Sequence, residues 1–454
     1  MAKAEVVQAG CAAFTAGAFA EAETAFRVAL TANPADAAAW SNLAAVLNVR
    51  GEHGAAEQAA RQALAASPGF WAACSTLGTA LHRQQRYEEA IAAYAGALRR
   101  NPACVEAATN LGIALTEQGH AEAALPVHDY ALRLALGDPA VRCNRALALL
   151  AAGDLARGFA ENESRWLVPG MLPHGVPGPC WQGEDIAGRR RILVHDEAGY
   201  GDTLQFVRYV PLLAARGARV LLQVQPPLLR LLSRLPGPEA VFARGEPLPA
   251  YDLHCPMLSL PHAFGTTMAT VPADIPYLTA DPAAARRWRE RLAGPELLVG
   301  LVWAGASRPS MREAHAMDAR RSLPAGALAT LGTIPGVSFV SLQKGPAPPS
   351  GAVIFDPMEQ CADFADTAAL VAALDMVIAV DTAVALLAGG LGKRVWLLSR
   401  FDMCWRWLQN RQDSPWYPSL RLYRQPRPGA WAEVLADVAS DLRSLAAGRL
   451  GSSG

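Results

Sequence analysis

The sequence predicts a multidomain protein in which an all-α repeat array precedes a larger α/β region made of two halves. Three observations predict it. Residue types recur every 34 positions through the first 155 residues. Short apolar runs alternate with glycine loops and helical patterns from residue 189, and that pattern restarts after the proline-containing stretch 272–295. At 454 residues the chain is also roughly three times the ~150 residues expected of one domain.

The repeats show in several columns at once. Pro34, Pro68 and Pro102 follow Asn33, Ser67 and Asn101, and the same spacing relates Ala22, Ala56, Ala90 and Ala124, as well as Leu47, Leu81, Leu115 and Leu149. Gly17, Gly51, Gly119 and Gly153 make a further column. A turn glycine, a small residue within the unit and a helix-stopping proline describe a helix–turn–helix pair. Such pairs cannot bury their apolar faces alone, so they stack into a right-handed solenoid with one concave face. A last column holds Asn42, Thr76, Asn110 and Asn144 within the first helix of each pair. Asparagine costs up to ~0.7 kcal/mol there relative to alanine. Its carboxamide offers one acceptor and two donors, suited to gripping the backbone of an extended peptide, and equally suited to solvating the groove. Thr76 interrupts the column.

The repeats fade after Gly153 into an expected linker over 156–188, rich in proline and glycine. Arg191–His195 then reads as a buried strand, followed by DEAGYGD, a helix from Thr203 to Ala215 and a strand at Arg219–Val224, which is a βαβ unit of a parallel sheet. Further strands are expected at Leu297–Trp303, Val337–Leu342, Met376–Val380 and Val395–Leu398. Two lobes are expected, 189–285 and 296–429, with sites at the carboxyl ends of their strands. An amphipathic helix over 430–448 is expected to cross back over the first lobe.

Residues 5–155 resemble the tetratricopeptide repeat family, and the 42/76/110/144 column resembles the asparagine ladder in the repeat groove of O-linked N-acetylglucosamine transferases. The stretches DEAGYGDTLQFVRYVPLL (196–213), LVWAG (301–305), SLQKG (341–345), VDTAVALLAGGLGK (380–393) and DSPWYPSLRLYRQ (413–425) resemble the glycosyltransferase domain fused to such repeats in many bacteria. That domain is similar to the lipopolysaccharide heptosyltransferases, of GT-B fold with two Rossmann-like lobes. The resemblance implies transfer of a sugar from a nucleotide-sugar donor to a protein presented by the repeats, inverting and without a bound cofactor. Two other functions stay open: a catalytically inactive scaffold, and a transferase acting on a glycan or lipid intermediate.

An inverting transfer needs a base for the acceptor hydroxyl and groups that hold the departing diphosphate. Gly199 and Gly201 are read as a tight turn after the strand and as part of the donor and phosphate site, and Asp202 matches the aspartate taken as the base in heptosyltransferases. Aspartate is also a preferred helix cap, so both roles fit it. Glu197 is a second candidate base. Asp381, Thr382 and Ala383 open a helix whose amides and dipole suit a diphosphate. Leu386 stands where related heptosyltransferases carry a histidine. Lys344 follows a strand at a place from which an ammonium reaches phosphate or solvent, and Arg320 and Arg321 are read as a basic loop. Trp303, Trp405, Trp407 and Trp416 are candidates for stacking on a base or sugar, against the alternative of core packing. No D-x-D pair suits a metal bridging a diphosphate, so no metal is expected.

Composition bounds the partners. Lys+Arg and Asp+Glu each number 41, which removes a general pull toward nucleic acid or anionic membrane. The eight cysteines show no zinc-ligand spacing, and no apolar run is long enough to span a bilayer, so a cytoplasmic protein without stable membrane insertion is expected.

Overall fold

The computed structural model describes residues 3–169, 175–186, 190–306, 308, 310–324, 326–332, 334–345, 354–402 and 404–451. The chain forms two compact units, Met1–Ala152 with Glu161–Pro169, and Gly153–Ala160 with Gly170–Gly454.

The first unit is the helical array. It contains α1 (Lys3–Thr15), α2 (Phe19–Ala32), α3 (Ala37–Arg50), α4 (His53–Ala66), α5 (Trp71–Arg83), α6 (Tyr87–Arg100), α7 (Val105–Glu117), α8 (Ala121–Leu134) and α9 (Pro139–Ala152). Each helix packs on the next, and the odd-numbered helices also pack on one another, so α1, α3, α5, α7 and α9 form one continuous wall. The small-residue column Ala22, Ala56, Ala90 and Ala124 is fully buried between the helices. The turn column adopts the left-handed conformation, with φ of 78°, 84°, 91° and 90° at Gly17, Gly51, Gly119 and Gly153. In the third repeat Gln85 takes that place at φ 61°, a conformation that disfavours a side chain.

A size match between two columns sets the spacing of the paired helices. Phe26, Tyr94 and His128 recur at one phase of the period, and Gly10, Gly78 and Gly112 at another. A Cβ on Gly10 would lie 2.7 Å from the Phe26 ring, on Gly78 2.6 Å from Tyr94, and on Gly112 2.5 Å from His128. The second repeat has Ala60 in place of a ring and Ala44 in place of the glycine. Gly78→Ala should therefore destabilise the array by about 1–3 kcal/mol through overpacking, although alanine is the better helix former by ~1 kcal/mol. Gly54→Ala is the matched control, because nothing lies within 4 Å of its added Cβ. Urea unfolding of both variants checks this, and equal midpoints would show that the Tyr94 ring yields freely.

The expected linker 156–188 is corrected in part. Its start is helical, as α10 (Leu155–Asn162) and a 3-10 turn at Glu163–Leu167. Near its end, Trp181 N–H donates to the His254 carbonyl at 2.7 Å, which ties the segment to the sheet that follows.

The second unit holds two parallel sheets. The first combines β1 (Arg191–His195), α11 (Tyr200–Phe206), α12 (Tyr209–Ala215), β2 (Arg219–Val224), α13 (Leu229–Leu232), β3 (Pro238–Ala243), β4 (Leu253–Pro256) and α14 (Leu260–Ala263). Its strand order is β3-β2-β1-β4, with β1 paired to β2 from Arg191↔Arg219 to His195↔Gln223. The apolar run Ile192–Val194 is fully buried, as a strand covered on both faces requires.

The second sheet follows α15 (Pro282–Arg291). It uses β5 (Leu297–Val302), α16 (Arg312–Arg321), β6 (Val337–Ser341), β7 (Ile354–Phe355), α17 (Phe364–Ala373), β8 (Met376–Val380), α18 (Ala383–Gly390), β9 (Arg394–Ser399), β10 (Leu420–Arg424) and α19 (Trp431–Gly451). The order is β10-β9-β8-β5-β6-β7. Because β5 has β6 on one side and β8 on the other, the connections diverge there, which makes the carboxyl ends of β5 and β8 the switch point at which open parallel sheets generally take ligands.

Two expected boundaries shift. The helix α15, partly assigned to the first lobe, packs on α17 beside the second sheet. The C-terminal helix α19 packs on β10 and on the turn Ala327–Thr330, and its Asp441 accepts from Tyr423 Oη at 2.8 Å and pairs with Arg421. It is therefore fixed to the second sheet, where it was expected on the first. Among the described residues no helix is long and apolar enough to cross a membrane.

Candidate functional site

The loops after β1 and β8 meet through α11 and α18. Gly201 lies inside this contact: an added Cβ would stand 3.0 Å from Leu386 Cδ1 and 3.6 Å from Ala383 Cα. The glycine pair does not form the tight turn that the sequence predicts. Gly199 has an ordinary extended backbone (φ −79°, ψ 168°), and Gly201 is a helical residue whose missing side chain lets α18 approach. Leu386 is 4% exposed and fills the seam between the two helices.

Asp202 occupies the third position of α11 and serves as a cap. Its Oδ2 accepts from Gly199 N–H at 3.0 Å. Its Oδ1 accepts from Arg406, which follows β9. The Arg406 guanidinium also donates to Gln205 Oε1 at 2.7 Å and to Cys404 Sγ at 3.3 Å, and its carbon stands 4.6 Å from the Trp405 ring centroid. Burial works against the charge of Arg406, but the Asp202 carboxylate and its other partners outweigh it, so its proton affinity is raised. Glu197, the second candidate base, accepts from Leu258 N–H at 2.7 Å and so braces a neighbouring turn.

Thr382 is the N-cap of α18, with a β-region backbone and no side-chain cap bond; its Oγ1 is buried without a partner. The first-turn amides of a helix have no intrahelical acceptor, which gives this end its affinity for anions. The Asp381 carbonyl accepts from Arg321 at 2.8 Å. Arg320 and Arg321, expected on a loop, close the last turn of α16, and Arg320 pairs with Asp402 at 2.8 Å.

Lys344 is exposed beyond β6, but its Nζ donates to the carbonyls of Cys361 at 3.1 Å and Ala362 at 3.5 Å. It thus braces the entry to α17. Trp303, a candidate stacking platform, is instead a core residue: it is 5% exposed, and its backbone N–H donates to Gln343 Oε1 at 3.2 Å. Trp407 and Trp416 are fully buried. Trp405 joins a cluster with Phe159, Phe206 and Trp416, stacked on Phe206 at 6.4 Å.

Two arginines that no sequence motif marks, one partly buried and one buried, fasten α11 and its flank to the second sheet. Arg406 is one. Arg208 is the other, donating to the carbonyls of Pro272 at 2.9 Å and Trp416 at 2.7 Å and to Tyr277 Oη at 3.0 Å, while lying 4.4 Å from the Tyr417 ring centroid. A cavity of about 490 Å³, lined by Arg286, Arg289, Asp375 and Lys393, lies elsewhere, at the amino ends of β8 and β9. Two of its cations serve the protein itself, since Lys393 donates to Ala372 and Leu374 carbonyls and Arg289 to that of Ala373.

In the first unit the carboxamide column falls on α3, α5, α7 and α9, four successive members of the odd-helix wall. Asn42, Asn110 and Asn144 are half-buried. Asn42 reaches Cys11 Sγ at 3.5 Å, and among the described residues Asn110 and Asn144 hold no side-chain hydrogen bond. Thr76 turns back to its own helix, donating to the Ala72 carbonyl at 3.1 Å. The arrangement leaves amide groups available along one wall.

The tetratricopeptide repeat family matches residues 7–69 and 75–139. Protein FlbA of Caulobacter vibrioides is 29% identical over 335 residues, covering 67% of the chain and 55% of FlbA, so the chain spans about half the length of this relative. Among solved structures, the repeat protein TTC0263 of Thermus thermophilus shares 24% identity over 37% of the chain and 92% of its own, with a TM-score of 0.34. Pseudomonas aeruginosa PilF shares 24% over 36% and 74%, with a TM-score of 0.33. YrrB, described as a repeat protein with an unusual peptide-binding site, shares 16% over 36% and 84%, with a TM-score of 0.31. The N-terminal part of this chain carries tetratricopeptide repeats, a scaffold of the protein-interaction type, and an α/β region with parallel sheets follows it.

Proposed function

We propose that the chain is a GT-B glycosyltransferase that moves a sugar from a nucleotide-sugar donor to a protein or peptide held along the repeat wall. The observation that carries this reading is the meeting of separate motifs at the carboxyl ends of parallel strands. The 196–213 and 380–393 stretches, far apart in sequence, adjoin through Gly201 and Ala383, with Asp202 and Arg406 beside them. In the reaction an acceptor hydroxyl attacks the anomeric carbon, the bond from that carbon to the diphosphate breaks, and Asp202 takes the hydroxyl proton. The α18 N-terminus and a nearby cation hold the departing diphosphate.

A scaffold without catalysis is the second reading, favoured by Leu386 sealing the seam and by the engagement of both Asp202 oxygens. Thermal denaturation against nucleoside diphosphates and nucleotide sugars separates the two. A ligand at 100 times its dissociation constant adds ~2.7 kcal/mol to the native state. A protein whose stability responds to none of them is a scaffold.

The acceptor side has its own test. Replacing Asn42, Asn110 and Asn144 together with alanine should weaken a bound protein or peptide by ~3 kcal/mol, at ~1 kcal/mol per hydrogen-bonding side chain if the terms add. Nucleotide affinity should stay the same. Isothermal titration with both ligands reads the difference, and an unchanged protein affinity would move the acceptor away from this wall.

A further inference from the structure

We infer that Arg406 acts as an exchangeable counter-ion: it holds Asp202 while the donor site is empty, and a diphosphate draws it away, leaving Asp202 open to an acceptor hydroxyl. The inference rests on the transferase reading and assigns a positioning residue within it.

Three features of the pair carry it. First, Arg406 is anchored independently of Asp202, by Gln205 at 2.7 Å and by the Trp405 ring 4.6 Å from its guanidinium carbon. Losing the carboxylate therefore does not cast the side chain adrift. Second, one guanidinium nitrogen is spent on Cys404 Sγ at 3.3 Å, a weak acceptor that an anionic oxygen readily outcompetes. The fork thus has a donor to offer a phosphate before it releases the carboxylate, and bidentate geometry favours phosphate once both donors turn. Third, the exchange happens where an anion is expected. Asp202 lies one residue beyond Gly201, which touches Ala383 at the opening of α18. The Asp381 carboxylate is near enough to act electrostatically on Arg406, so the resting cation is balanced from both α11 and the β8 loop.

The consequence for Asp202 is geometric. One oxygen is bonded to Gly199 N–H and the other to Arg406, so a hydroxyl donor must displace a partner. Displacement of Arg406 by the donor couples the arrival of the leaving group to the availability of the base. Water meeting the empty site finds Asp202 engaged.

A titration with inorganic pyrophosphate, UDP and ADP tests the exchange without any measurement of transfer. Asp202→Asn removes the competitor for Arg406 and should tighten diphosphate binding on the order of tenfold, the worth of one charge-assisted hydrogen bond. Arg406→Gln should weaken it. In the Arg406→Gln background, Asp202→Asn should have no further effect. If Asp202→Asn tightens binding equally in both backgrounds, simple repulsion accounts for it and the exchange is wrong. If it leaves wild-type affinity unchanged, the exchange is also wrong, while the transferase reading survives. A wild-type protein that binds none of the three probes removes that reading and the inference with it. Should Arg406→Gln fail to fold, as circular dichroism would show, Arg406→Lys keeps the charge without the fork and should bring the Asp202→Asn gain below its wild-type value.

Discussion

Asp202→Asn is expected to lower sugar transfer by about 10²–10⁴-fold, the range associated with losing a general base. The substitution separates the two roles that the structure gives this side chain. Asparagine keeps an oxygen that accepts from Gly199 N–H, so the cap on α11 survives. It loses the charge that receives a proton from the acceptor and that pairs with Arg406. Single-turnover transfer measured beside the melting temperature distinguishes base from cap. Normal transfer would dismiss Asp202 as the base. Lost transfer accompanied by a destabilisation near the ~0.5–2 kcal/mol worth of a cap would assign the residue to structure alone.

The sequence exposes those parts of the molecule whose environment repeats or whose burial is uniform. The 34-residue period is legible because each repeat meets the same neighbours, so Ala22, Ala56, Ala90 and Ala124 fill equivalent gaps. Strands such as Ile192–Val194 are legible because both faces are covered and every position is apolar. The match of Gly10, Gly78 and Gly112 to Phe26, Tyr94 and His128 was present in the same period, but only two columns compared together reveal it. Gly201 looked like a turn glycine because sequence does not distinguish a needed left-handed backbone from a needed close approach.

The anchors of the candidate site were hidden for another reason. Arg406 is 204 residues from Asp202, and Arg208 is 208 residues from Trp416, and no local pattern marks an arginine whose partner comes from another sheet. The same limit misplaced α19. Its amphipathic face fits either sheet, and specific bonds such as Tyr423 to Asp441 decide in favour of β10.

His128→Phe should stabilise the repeat array and remove a pH dependence that the wild type carries. The His128 ring is fully buried on α8 against Gly112, and neither ring nitrogen makes a well-formed hydrogen bond, the Gly112 backbone being its one polar neighbour with an effect on the charge besides Arg145 and Asp129. Burial first, and the Arg145 charge second, push its pKa down from 6.5 to about 4, with Asp129 and the Gly112 backbone acting in the opposite direction. The sign follows from proton binding. Above pH 6.5 the ring is neutral in both folded and unfolded chains and contributes no pH dependence. As pH falls from 6.5 toward 4 the unfolded chain takes up a proton that the folded repeat excludes, so stability declines, by about 3 kcal/mol once both values have been passed. Phenylalanine already occupies the equivalent position in the first repeat, as Phe26 against Gly10. It leaves no polar atom unsatisfied, which at neutral pH is worth ~1–3 kcal/mol. Urea midpoints of both proteins between pH 7.5 and 4.5 should therefore diverge as the solution is acidified, with the variant ahead at every point. A gap that stays constant with pH would show that His128 titrates alike in both states, and that the ring finds solvent or a partner despite its burial.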